Sequence, residues 1–129
     1  MVDVQELELR NNQLSDQASG MLLMACFANP KIKRITICYN YLRQAFGKVL
    51  RKLTQLCDTR QEYLNIMGSN SNPDHMKPIV QNLNSMKSLK SLNLGGCQMT
   101  QQAGRILANF LLYSYNIKEL DISHCGFLR

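Results

Sequence analysis

The sequence lacks any run approaching the roughly 18 consecutive apolar residues that a membrane-spanning helix needs. It also lacks the opening of a secretory signal, because MVDVQELELR puts acids where bases and then an apolar run would stand. Its five cysteines are an odd number without the tight paired spacing of a small disulfide scaffold. These absences point to a reduced compartment, and a cytoplasmic location is the expectation. No phosphate-cradling glycine loop is present, since Gly95-Gly96 reads as the inside of a strand. No carboxylate pair has a base or nucleophile in register with it. Neither catalysis nor a cofactor nor a metal centre is expected.

The chain does contain a pattern that returns. LKSLNLGGCQM places Leu89, Leu92, Leu94, Cys97 and Met99 on the frame L-x-x-L-x-L-x-x-N/C-x-L. Leu92 and Leu94 alternate as on a short strand and point inward, while Cys97 stands where the chain leaves it. A buried polar group is needed there, because backbone groups lose their strand partners. VQELELRNNQL repeats the frame with Val4, Leu7, Leu9, Asn12 and Leu14. IKRITICYNYL does so with Ile32, Ile35, Ile37, Asn40 and Leu42, and IKELDISHCGF with Ile117, Leu120, Ile122, Cys125 and Phe127. The third copy, QEYLNIMGSNS, keeps Leu64 and Ile66 but has polar Gln61 and Ser71 at apolar positions. The starts fall near 4, 32, 61, 89 and 117, so the spacings are 28, 29, 28 and 28. At 129 residues this predicts one repeat domain over 1–129.

Each connection reads as a helix. After Leu14, Ser15 or Asp16 caps a helix that Pro30 ends, with Ala18, Met21, Leu22, Ala25 and Cys26 on one face. The second helix turns Phe46, Val49, Leu50, Leu53 and Leu56 or Cys57 inward. The third connection starts in a polar loop, and Pro78 makes its helix short or broken, with Met76, Ile79, Val80 and Leu83 buried. The fourth is capped by Thr100 and buries Ala103, Ile106, Leu107, Phe110 and Leu111.

Beyond the strand, small residues stand six places after the Asn/Cys position (Ala18, Ala103), and Leu22, Leu50, Ile79 and Leu107 stand ten places after it. Asn29 and Ser114 end their units. This pattern resembles the ribonuclease-inhibitor-like leucine-rich repeats over essentially the whole chain, departing from it at Phe46, His75 and the third repeat. The resemblance implies an α/β solenoid, a curved horseshoe segment with parallel strands on a concave face and helices on a convex one. It implies binding of other macromolecules and no particular activity. The frame has no polar capping segment at either end, which solenoids need. Leu7, Leu9 and the first helix leave one core end open, and Leu120, Ile122 and Phe127 the other. A segment of a longer repeat protein, or a partner over the ends, is therefore expected.

Cys97 and Cys125 share a register, so they form either a metal or redox pair or a buried ladder of weak hydrogen bonders. The lack of a second pair or a histidine in register favours the ladder. Cys38 and His124 should project onto the concave face, and His75 sits at a loop-to-helix transition. On that face Arg34, Thr36, Tyr39, Tyr63, Asn65, Asn93, Asp121 and His124 are the candidate protein-binding residues. Within it, Thr36, Asn65, Asn93 and Asp121 form a column, and Tyr39 and Tyr63 supply anchoring area of the kind interfaces use.

Net charge is +6 but uneven. Residues 1–30 balance at −3, residues 31–60 at +7 and the rest at +2. Arg43, Lys48, Arg51 and Lys52 form a basic patch around the second helix. The expected function is a non-enzymatic interaction scaffold within a larger assembly, with a cytoskeletal or ciliary one among the candidates. The alternatives are an enzyme regulator of the GTPase-activator or nuclease-inhibitor type, and nucleic-acid binding through the basic helix. Nucleic acid ranks last, because it wants a longer basic track with aromatics.

Overall fold

A computed structural model describes residues 5–10, 16–38, 44–56, 59–68, 72–114 and 116–128. Five strands, β1 (Glu6–Arg10), β2 (Arg34–Cys38), β3 (Tyr63–Asn65), β4 (Ser91–Asn93) and β6 (Glu119–Asp121), pair in that order. All four pairings are parallel, and they join Leu7 to Ile35, Ile35 to Leu64, Leu64 to Leu92 and Leu92 to Leu120. Parallel neighbours need a crossover between them. Helices α1 (Asp16–Ala28), α2 (Gln44–Leu56), α3 (Met76–Gln81) and α4 (Gln101–Tyr113) lie within those crossovers. Two further short strands, β5 (Met99–Thr100) and β7 (Phe127–Leu128), pair with each other beyond the ends of β4 and β6.

The core lies between one sheet face and the helices. Ile35, Ile37, Leu64, Leu92 and Leu94 cluster with Phe27, Phe46, Leu50, Ile79, Val80, Leu107 and Phe110. Alternation along a strand sends every second residue to that side. The faces of α2 and α4 follow the 3.6-residue period. Phe46 and Leu50 are buried with Val49 packed against them, as are Ala103, Leu107 and Phe110 with Ile106 and Leu111. Thr100 Oγ1 accepts from the Ala103 amide at 3.1 Å and caps α4.

The face of α1 differs from expectation. Ala18, Met21, Leu22 and Ala25 are exposed, whereas Cys26 and Phe27 are buried and Met24 packs on the core. DQASGMLLMACFA is apolar nearly all round, so periodicity does not single out one face, and burial of the large Phe27 ring decides the helix rotation. Pro30 does follow the helix end.

The third connection is broken as Pro78 requires. A 3₁₀ turn (Pro73–His75), the six-residue α3 and a second 3₁₀ turn (Leu83–Ser85) replace one helix. Asn72 Oδ1 accepts from the Asp74 amide at 3.0 Å to start it. Asn82 Nδ2 donates to the Pro78 carbonyl at 2.6 Å to end α3. Met76, Ile79, Val80 and Leu83 are all buried. Gly47 of α2 backs onto this segment, where a Cβ would stand 2.5 Å from Pro78 Cβ.

Gln61, polar at an apolar position, is fully buried. Its Nε2 donates to the carbonyls of Ile32 (3.0 Å) and Cys26 (3.4 Å), which ties the end of α1 and the start of β2 to the third unit. Val4, Asn12, Leu14, Ser15, Asn40, Leu42, Cys57 and Ser71 lie outside the described residues.

Candidate functional site

The sheet face opposite the helices presents the residues between the inward leucines and isoleucines. Strand register aligns Glu6, Arg34, Tyr63, Ser91 and Glu119 in one row, and Glu8, Thr36, Asn65, Asn93 and Asp121 in another. Neighbours in a row are about 4.8 Å apart. Arg34 joins two of them, lying 4.2 Å above the Tyr63 ring and 3.7 Å from the Glu6 carboxylate. Tyr63 Oη accepts from Asn65 Nδ2 at 3.2 Å, so the ring is held at both its face and its hydroxyl.

The second row has a structural task as well. Oδ1 of Asn65, Asn93 and Asp121 accepts from the backbone amides of Met67, Gly95 and Ser123 at 3.0, 2.8 and 2.9 Å. Each such Asx turn caps amides at the strand exit. Three places after each of these side chains, Gly68, Gly96 and His124 have φ of +66°, +72° and +56°. Gly95 and Gly96 thus form a turn after β4 rather than strand interior, because the chain must reverse into the left-handed region to leave the sheet. Ser123 Oγ also donates to Asp121 at 2.6 Å, and these two bonds hold the carboxyl below the ordinary carboxylate range.

Burial divides the candidate residues. Thr36 (3%) and Asn65 (5%) are buried, so they do not form open contact surface as expected. Asn65 owes this to its bond with the Tyr63 hydroxyl and to its turn. Arg34, Asp121 and His124 are exposed, and Tyr63 and Asn93 partly so. Tyr63, Ser91, Asn93, Glu119 and Asp121 line a shallow depression of about 240 Å³. Tyr39 and Arg43 lie outside the described residues. Lys48, Arg51 and Lys52 stand exposed together on α2.

The thiols of Cys26, Cys97 and Cys125 belong to the core. Cys97 Sγ donates to the Ile66 carbonyl at 3.3 Å and Cys125 Sγ to the Leu94 carbonyl at 3.1 Å, which is the buried ladder. Desolvation pushes the Cys125 and Cys26 thiols up. Cys38, expected on the open face, is fully buried, which removes the access a reactive thiol needs. His75, at the junction of the 3₁₀ turn and α3, has its Nε2 3.4 Å from Asn72 Nδ2. Among the described residues no three His, Cys, Asp or Glu side chains converge as metal ligands, and no helix is long and apolar enough to cross a membrane.

Sequence reading missed a second depression of about 320 Å³, lined among others by Lys33, Arg60, Glu62, Lys87, Lys90 and Asn116. Lys33, Glu62 and Lys90 were legible as variable positions one residue ahead of their strands. Arg60 comes from the segment before β3 and Lys87 from the turn before β4, and only the fold brings them alongside.

Residues 85–104, which carry β4, its exit turn and the start of α4, match a family model described as Leucine Rich repeat. No curated protein matches the chain. The family match supports a leucine-rich-repeat protein, and the parallel sheet with intervening helices is compatible with that fold.

Proposed function

We propose that this chain is a non-enzymatic protein-interaction module, a solenoid segment of the ribonuclease-inhibitor-like class. Leucine-rich repeats generally mediate protein–protein interaction. One observation carries the reading furthest. The sheet face opposite the helices sets polar side chains in rows on a hydrogen-bonded backbone, with Arg34 and Tyr63 held in one orientation. Prefixed, partly exposed aromatic and guanidinium groups lose little entropy on binding and serve well as anchors. The module spans 1–129 as one repeat domain within a larger cytoplasmic assembly. The exposed apolar side chains Met21 and Leu22 at one end, and Leu120 and Ile122 at the other, favour neighbouring repeats or a partner over both ends.

Cross-linking mass spectrometry on native extract, with and without nuclease, tests this. Nuclease-insensitive cross-links from sheet-face lysines to a defined protein are expected. Complexes that vanish with nuclease, with Lys48 and Lys52 protected, would replace the reading by nucleic-acid binding.

A further inference from the structure

We propose that the depression at the strand starts is the docking site for an acidic segment of the partner protein, whose side-chain carboxylates it takes. The inference rests on the protein-interaction reading above.

The depression is built on rigid backbone. The parallel ladder continues one residue ahead of each strand: the amide of Lys33 donates to the Gln5 carbonyl and that of Glu62 to Lys33, both at 2.8 Å. The amide of Lys90 donates to Glu62 at 2.8 Å and that of Lys118 to Lys90 at 2.7 Å. Asn116 Nδ2 donates to the Lys87 carbonyl at 2.7 Å and fixes the turn that carries Lys87. Four cations, Lys33, Arg60, Lys87 and Lys90, therefore face one space around a single carboxylate, Glu62.

That carboxylate does not balance them. Lys90 Nζ already sits 2.7 Å from Glu62, leaving three cations in excess. Like charges gathered on a fixed frame repel one another, and an incoming anion relieves the repulsion. Arg60 offers a planar fork suited to a carboxylate, and it is exposed, as is Lys87. No aromatic side chain lines the space on which a base would stack, and Glu62 interrupts the track a phosphate backbone would follow. The side chains of Asn116 and Ser88 at its wall suit peptide groups instead. Lys48, Arg51 and Lys52 do not line it, so the basic face of α2 is a separate feature.

The test is fluorescence anisotropy on the full chain with three labelled probes: an oligoglutamate peptide, an oligoglutamine peptide of equal length and an oligothymidylate of equal charge. Oligoglutamate is expected to bind, more weakly as salt rises, and to lose about tenfold in affinity in the Arg60→Gln/Lys87→Gln double variant. The Lys48→Gln/Lys52→Gln variant should bind it as the parent does. Equal binding by the first variant, equal binding of oligoglutamine, no binding of oligoglutamate, or preference for oligothymidylate would each overturn the proposal. Both pairs are exposed, so the fold should tolerate either change. The cross-linking separates the two levels. A protein partner captured away from this depression overturns the docking site and leaves the interaction reading standing, whereas absence of any protein partner overturns that reading itself.

Discussion

Gln61 Nε2 donates to the main-chain carbonyl of Ile32, 29 residues earlier, at 3.0 Å inside the core. The same group reaches the Cys26 carbonyl, so one amide satisfies the end of α1 and the approach to β2. Removing it leaves the Ile32 carbonyl without that donor, while the Cys26 carbonyl keeps the Asn29 amide at 3.2 Å. Gln61→Met keeps the length of the side chain without its donor and is expected to lower stability by about 1–2 kcal/mol. A urea titration reads this as a lower midpoint at unchanged slope, and an unchanged midpoint would mean the amide contributes nothing net.

Gly47→Ala tests the seam between α2 and α3. Helix propensity alone predicts a gain of up to about 1 kcal/mol for that change. The Pro78 ring, in the path of the new methyl, predicts a loss of about 1–3 kcal/mol. Thermal unfolding gives the sign, and a loss is expected.

The exit turns give a matched pair of variants. Gly96→Ala forces a Cβ into left-handed backbone and should cost about 1 kcal/mol. His124→Gly, at the equivalent place, should gain a few tenths up to about 1 kcal/mol. If both variants unfold at the parent's temperature, the turn geometry carries no strain.

Stability should fall in alkali. Burial raises the Cys26 and Cys125 thiols above the ordinary value of 9.0, so above that pH the unfolded chain releases these protons first. The folded state then binds more protons, and its stability drops as pH rises through the folded values. Cys26→Ala and Cys125→Ala should each flatten the loss between neutral pH and the alkaline range, as measured by urea midpoints. A slope identical to the parent's would show that the thiols do not contribute to it.

Glu62 behaves in the opposite sense. Its hydrogen bond and charge interaction with Lys90 hold the carboxyl below the ordinary 4.5, a contribution present above that value and lost as pH falls through the folded one. Lys90→Gln should move the Glu62 titration, followed by NMR, back up toward 4.5. An unmoved titration would mean the pair does not form in solution.

How much of this was legible in the chain follows from what each signal depends on. The rows Thr36–Asn65–Asn93–Asp121 and Leu64–Leu92 follow from a fixed spacing, because parallel pairing turns equal spacing into adjacency. Short-range chemistry was legible too: Thr100 as a cap, Pro78 as a breaker, Cys97 and Cys125 as a buried ladder. The rotation of α1 was not, since a segment apolar on all sides carries no phase. The burial of Thr36, Asn65 and Cys38 was not, since alternation gives direction and says nothing of what lies on top. Gln61 read as a defect because its two acceptors belong to other units of the chain. The meeting of Arg60 with Lys87 escaped notice because both stand between elements, outside the repeating frame.

The two outermost strands of the five-stranded sheet, β1 and β6, bear the same sign of charge at matching places, Glu6 and Glu8 on one and Glu119 and Asp121 on the other. Copies stacked edge to edge in continuing register would set carboxylate against carboxylate at every such place, where like charges oppose pairing. Edge-to-edge pairing between two copies of the described sheet is thereby disfavoured at neutral pH. An edge that extends the described sheet without that repulsion, on a neighbouring repeat or on a partner, is neutral or basic where these are acidic.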